Sequence, residues 1–400
     1  MIVVAAGLAF ALYRMHESRN VRGSSTEEFV TTETSPELSA EKKVLWPMFG
    51  FDPARRRAPD GMRLRPPFRT RWFVRARELV EFPPAIAYGR LYFANRSGVV
   101  FSVDTSEPRV HWRFRAGRCA AASPAVSHDL VYMAFLNRPP CNTPRPGLDG
   151  EVIALNAKTG RVRWRRRIGP SESPPLVVNR TVYVGDWNGK VYALAAPTGR
   201  VRWTASVGGE VKDGAAFSNG RVYVGSYDSH VYAFDARSGR RLWRASAQQR
   251  LGQQGRFYST PAVAYGRVYI GGTDGKVYSY GATTGKLRWS HGTGHYVYAS
   301  PAVWRRRILI GSYDGDFYCL DAATGDVRWR FKSNGRVSGS AIVLAGVVYF
   351  STLSGRTYAL DAASGRLLWS YRRGSYAAVV SDGKRLFLAG YARVYALTER

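Results

Sequence analysis

From about residue 69 onward, short apolar runs and polar turns alternate in a unit that recurs roughly every 40 residues. One run opens each unit, as in Ser123-Pro124-Ala125-Val126 and Ser300-Pro301-Ala302-Val303. A second follows, as in Val182-Tyr183-Val184-Gly185 and Val222-Tyr223-Val224-Gly225. A turn such as Trp187-Asn188-Gly189 or Thr273-Asp274-Gly275 leads to a third run, for example Val191 to Leu194. After a turn such as Asp321-Ala322-Ala323-Thr324-Gly325, a fourth run carries a Trp four residues beyond the Gly. Runs of four to six residues rich in Val and Tyr are strands. Asn-Gly and Asp-Gly between them favour tight hairpins, and Asp-x-x-Thr/Ser-Gly suits a side-chain-capped turn. One unit is therefore a four-stranded antiparallel meander, the content of a propeller blade.

The tryptophans count the blades. Trp72, Trp112, Trp164, Trp203, Trp243, Trp289, Trp329 and Trp369 mark eight fourth strands. Strand sets begin near Pro84, Ser123, Ser173, Asp213, Ser259, Ser300, Ser338 and Tyr376, and the last of these lacks a Trp strand. The orphan run Arg69-Thr70-Arg71-Trp72-Phe73-Val74 supplies it, which predicts a ring closed by the N-terminal strand around Trp72 and no free sheet edge. The fold class is all-β: a single eight-bladed β-propeller of four-stranded antiparallel blades over residues 46–400, its eight Trp side chains packed between neighbouring blades.

The unit Val-Tyr-Ala-Leu-Asp-Ala-x-Thr-Gly-x-x-x-Trp resembles the pyrroloquinoline quinone (PQQ) repeat over residues 69–400, and Trp46-Pro47-Met48-Phe49-Gly50 is similar to the segment preceding the first blade in such proteins. Asn156 and Ala195 stand where the pattern has Asp, and Pro108 where it has Gly. The resemblance implies one of two classes. Quinoprotein dehydrogenases oxidise alcohols or sugars. Non-catalytic propellers include the scaffold lipoprotein of the outer-membrane barrel-assembly machinery, the closer of the two in type. The dehydrogenase class implies a vicinal Cys-Cys disulfide, a Trp beneath the quinone, a calcium held by Glu, Asn and Asp, and an Asp base. Here Cys119, Cys141 and Cys319 are not adjacent, and the aspartates at 186, 228, 274, 314, 235, 321 and 361 fall in turns. Of six histidines only His291 and His295 are close, short of the three or four ligands a zinc site wants. No catalytic, cofactor-binding or metal-binding residue is assigned. A non-enzymatic role is expected, with a PQQ- and calcium-dependent oxidoreductase as the alternative.

Composition agrees with an all-β chain: 24 Tyr, 11 Trp and 41 Gly, with 45% hydrophobic residues. The formal net charge of +30 is spread through every repeat and reads as a solvated basic surface. A second alternative, binding of an anionic polymer, would show a steep salt dependence; nucleic acid is not an expected partner. Residues 1–22 hold an apolar stretch, Ile2 to Tyr13, too short to span a bilayer as a helix and followed by Arg14, Arg19 and Arg22. They are read as a short anchor or signal-like segment, although the basic flank favours a cytoplasmic downstream chain. Residues 23–45 are polar and mostly acidic and are expected to be a disordered tether.

In such a ring, the loops between blades share one face with the hairpins joining second to third strands. Two insertions sit there, Leu136 to Gly150 and Ser246 to Tyr258. Glu210, Lys212, Arg256, Tyr258, His295, Tyr296 and Tyr298 converge on the same face and are the candidate binding residues for a peptide or small ligand. Cys119 and Cys141 fall on that face within one blade and are expected to form a disulfide; Cys319, inside a third strand, is expected to be a buried free thiol. The resulting expectation is a monomeric, membrane-tethered, extracytoplasmic scaffold that binds a protein partner or an envelope component.

Overall fold

Val, Ile, Tyr and Phe fill the inner strands in continuous buried runs, covered on both faces by the neighbouring blades, and Gly-containing turns reverse the chain at positive φ. The computed structural model describes residues 20–31, 44–141, 149–248, 255–377 and 379–400. Among these no helix forms, and the strands sort into eight antiparallel sheets arranged as a ring of blades. Blade three is typical, with strands Leu176–Val178, Thr181–Gly185, Lys190–Ala195 and Val201–Ser206 paired in sequence order from the axis outward. Blade eight is the closure predicted from Trp72. Its outer strand is Phe68–Arg75, paired with Arg393–Glu399 from Phe68↔Glu399 to Arg75↔Arg393. Blade one differs from the expected four strands: Val44–Trp46 adds a fifth beside Ala85–Ala87. An innermost strand presents an open edge of backbone groups, and this short run takes it.

The repeat residues weld each blade to the next. Trp112, Trp164, Trp203, Trp243, Trp289 and Trp329 each donate the indole N–H to a carbonyl in the third-to-fourth-strand turn of the following blade, at 2.8–3.3 Å. Trp72 does the same to Ser106, across the closure. The turn glycine has a second duty there. Gly199 and Gly239 have φ of +68° and +75°, and a Cβ on either would press into the ring of Trp164 or Trp203. The Gly of the repeat is therefore demanded by backbone and by packing together. The hairpin aspartates keep the turn role expected of them. Asp186, Asp228 and Asp314 each accept backbone N–H groups from their own hairpin and from the inter-blade loop before it.

Of the anchor and tether, residues 1–19 and 32–43 lie outside the described residues. Residues 20–31, most of which belong to the span expected to be a flexible tether, have a definite place. Val21 bridges Ser290, Phe29 stacks on Tyr265, and the Val30 N–H donates to the Tyr265 carbonyl. Glu27 and Glu28 pair with Arg288. Ordering of a polar segment is here offset by charge pairing with Arg288 together with the packing of Phe29 on Tyr265.

Candidate functional site

The ring's centre is built from the segment 46–57. The inner strands of blades two, four, five, six and seven would leave N–H groups unpaired at the axis. Pro47, Pro53, Ala54, Arg56 and Arg57 accept them, from Val126, Phe217, Val263, Val303 and Val343, at 2.7–2.9 Å. The segment lies inside the ring and floors a cavity of about 270 Å³. Two arginines of the segment are fully buried. Arg55 is spent on carbonyls: its Nε donates to Ala215 at 2.8 Å and its Nη atoms to Phe49, Pro174 and Pro175. Arg57 lines the cavity, lies over the Phe49 ring at 4.7 Å, and has Nε and Nη2 without a protein partner. Burial pushes both guanidinium groups down, Arg55 to about 9 and Arg57 to about 10.

The walls are tyrosines from hairpins and inter-blade loops. Tyr227 meets Tyr258 at 6.1 Å between ring centroids, Tyr258 meets Tyr298 at 5.2 Å, and Tyr298 meets Tyr313 at 4.8 Å. The carboxyls are buried among them. Glu172 takes the Trp187 indole N–H at 3.0 Å and the Tyr258 hydroxyl at 3.4 Å. Burial raises its pKa to about 8, with Lys212 opposing and Glu81 adding to the rise. Burial likewise raises Glu81 and Asp213. Asp213 accepts the backbone N–H of Gly214 and of Thr260, with Arg57 and Arg55 acting on it electrostatically.

Five of the seven residues expected at the binding face meet around Tyr227. Lys212 sits 4.4 Å above Trp187 and 4.7 Å above Tyr227, and pairs with Glu210 at 3.5 Å. Arg256 covers Tyr227 from 5.5 Å, while Tyr258 and Tyr298 line the cavity itself. His295 and Tyr296 stand on the exposed rim, in edge contact at 4.5 Å, and Tyr296 reaches Tyr298 at 5.6 Å. Arg57, Glu172, Tyr227 and Tyr313 were not among the candidates. A signal for two of them existed: Trp187, Tyr227 and Tyr313 all stand two residues after the Gly that ends a second strand.

Cys119 and Cys141 are disulfide-bonded, Cα atoms 5.7 Å apart, which ties the long loop of blade two to the same face. Cys319 is the buried free cysteine, its thiol pushed up to about 12 by burial. The bridge closes a sequence separation of 22. Reduction, or Cys141→Ser, should therefore cost about 3 kcal/mol by loop entropy. Urea unfolding with and without reductant measures it; identical midpoints would show that the loop contributes nothing to the ring.

The parts implied for a quinone and calcium do not assemble. Trp46 supplies an indole at the floor, but the disulfide is not vicinal. Among the described residues no group of three His, Cys, Asp or Glu side chains is placed to hold a metal ion. The deep carboxylate, Asp213, has arginines for company.

Comparison with known proteins places the architecture. BamB from Moraxella catarrhalis is 18% identical, with TM-score 0.67 over 83% of this chain and 100% of that one. Quinohemoprotein alcohol dehydrogenase from Comamonas testosteroni is 15% identical, with TM-score 0.72 over 88% of this chain and 80% of that one. A europium-containing methanol dehydrogenase is 13% identical, with TM-score 0.70 over 90% and 98%. At these identities the likeness is one of fold. No curated protein sequence matches. Residues 148–300 and 292–399 match the PQQ-type repeat family described as outer membrane protein assembly factor BamB, and the chain belongs to that family.

Proposed function

We propose that this propeller is a non-catalytic scaffold whose tyrosine-walled cavity receives a segment of a protein partner or envelope component. The observation that carries the reading is the cavity of about 270 Å³ inside the ring, walled by Tyr227, Tyr258, Tyr298 and Tyr313 and lined below by Trp46, Phe49 and the buried Arg57. Tyrosines packed edge to face offer broad amphipathic contact of the kind that anchors protein interfaces. The mismatch of the quinone set supports binding over redox chemistry. The disulfide supports an extracytoplasmic setting, with the N-terminal segment as tether.

The test has two arms. A photo-crosslinker at exposed Tyr296, used in native membranes, should capture one defined partner, and Tyr298→Ala with Tyr313→Ala should abolish capture while leaving thermal unfolding cooperative. PQQ with calcium should neither raise the melting temperature nor support dye reduction with alcohols. A quinone-induced thermal shift together with dye reduction would replace this reading with the dehydrogenase.

A further inference from the structure

In blades three, four and six a single aspartate joins the second-to-third-strand hairpin to the loop that enters the blade. Asp186, Asp228 and Asp314 each accept two hydrogen bonds on one carboxylate oxygen. The first comes from the backbone N–H of the glycine five residues after the preceding blade's Trp: Gly169, Gly208 and Gly294, at 2.8–2.9 Å. The second comes from the hydroxyl of the third residue of the third strand: Tyr192, Tyr232 and Tyr318.

Blade eight keeps both donors and lacks the aspartate. Gly374 stands five residues after Trp369, and Tyr395 is the third residue of the strand Arg393–Glu399. The hairpin from Leu386–Gly390 into that strand is cut to Tyr391-Ala392, where blade six has Ser312-Tyr313-Asp314-Gly315. Neither the Gly374 N–H nor the Tyr395 hydroxyl has an acceptor among the described residues, although Tyr395 is only 6% exposed. The two flank one point: a Cβ on Gly390 would lie 3.0 Å from Tyr395 Cε2 and 3.3 Å from Gly374 N.

The entering loop is held instead to blade seven, where the Thr357 hydroxyl donates to the Arg373 carbonyl at 2.8 Å. An open pocket of about 520 Å³ remains, lined by Gly374, Tyr395, Arg372, Arg373 and Arg393 among others. It shares no lining residue with the axial cavity, and no acid lines it. Arg393 lies over the Phe73 ring at 4.9 Å, and Arg373 donates to the Arg372 carbonyl at 3.0 Å. Among the described residues none of the three arginines pairs with a carboxylate. Glu78, on the loop that bonds back to the Tyr391 and Ala392 carbonyls, is exposed and outside the lining. Hydrogen bonds from guanidinium to carboxylate are among the strongest a protein makes, so this pocket offers more to a carboxylate than the filled positions of blades three, four and six do.

We propose that the pocket between blades seven and eight is a docking site for an acidic side chain of a partner protein, whose carboxylate takes the place of the missing hairpin aspartate. Tyr391, 66% exposed, stands at its rim to meet the residues beside that acid. The probe is a labelled, end-capped peptide reproducing residues 310–315, the blade-six hairpin with its single aspartate, titrated into the full chain by fluorescence anisotropy at physiological salt. Saturable binding is expected. It should weaken about tenfold or more when Arg373→Gln is combined with Arg393→Gln, and about threefold or more with Tyr395→Phe. Arg200→Gln combined with Arg240→Gln removes the same charge at exposed turns of the opposite face and should leave binding within about twofold. The peptide with Asp314→Asn should bind about tenfold more weakly or worse. Replacing Tyr391-Ala392 by Ser-Tyr-Asp-Gly should abolish binding, because the carboxylate then comes from within. Absence of saturation, equal binding of the Asp314→Asn peptide, or equal losses in the two arginine pairs would overturn the proposal. Displacement of the peptide by millimolar inorganic phosphate, beyond that caused by chloride at the same ionic strength, would also overturn it and make the ligand a phosphate. The axial cavity is a separate site, so failure here leaves its own test standing.

Discussion

A chain starting at residue 76 should lose the cooperative unfolding transition that a chain starting at residue 44 displays. The shorter chain lacks the strand Phe68–Arg75, whose partner strand Arg393–Glu399 would become an open edge. It also lacks Phe68, Trp72 and Val74 from the core where blades seven, eight and one meet. Truncating a buried Phe or Trp alone costs about 3–5 kcal/mol. Two such losses, with the missing backbone pairing, approach the whole stability of an ordinary domain, about 5–15 kcal/mol. The segment 46–57 goes as well, and with it the acceptors for five inner-strand N–H groups. Near-UV circular dichroism during urea titration reads the outcome. An unchanged midpoint and slope for the shorter chain would mean that the ring does not need its closure. Trp72→Ala in the longer chain separates the two contributions, since it opens the seam and leaves the axis filled.

That closure was legible because a propeller is written as a count. Eight fourth-strand tryptophans against seven complete units leave one strand to borrow, and strand periodicity and turn chemistry are local signals. The disulfide was legible for the same reason: once blade two is drawn, Cys119 and Cys141 fall on one face. Arg55 and Arg57 were not. A run of three arginines reads as solvated surface, and nothing local says that ring carbonyls will surround two of them. The placement of residues 20–31 was missed in the opposite direction. Glu27-Glu28-Phe29 has no apolar period, and its partners, Arg288 and Tyr265, lie more than 230 residues away. Glu172 carries no local mark in the sequence; Trp187 and Tyr258, which donate to it, come from other strand connections, so only the assembled funnel reveals it.

Glu172 leads to the second large effect. Lys212 opposes the rise of its pKa and Glu81 and Asp213 add to it, while the Trp187 indole and the Tyr258 hydroxyl donate to its oxygens. Burial is the leading cause of its rise from 4.5 to about 8, so the folded state holds a proton that the unfolded chain releases. For an acid raised in this way, the stabilisation is complete below the unfolded value and is lost as pH climbs through the folded one. From about pH 4.5 to about pH 8, this group alone should remove roughly 4–5 kcal/mol. Glu81 and Asp213, raised by burial too, act with the same sign. Glu172→Gln keeps an acceptor for the Trp187 indole and cannot ionise. Its unfolding midpoint in urea should fall less steeply over that window than that of the unaltered protein. Above about pH 8 the variant should be the more stable of the two, although it loses at most one hydrogen bond at acid pH. Parallel curves would place the proton elsewhere in the funnel, on Glu81 or Asp213.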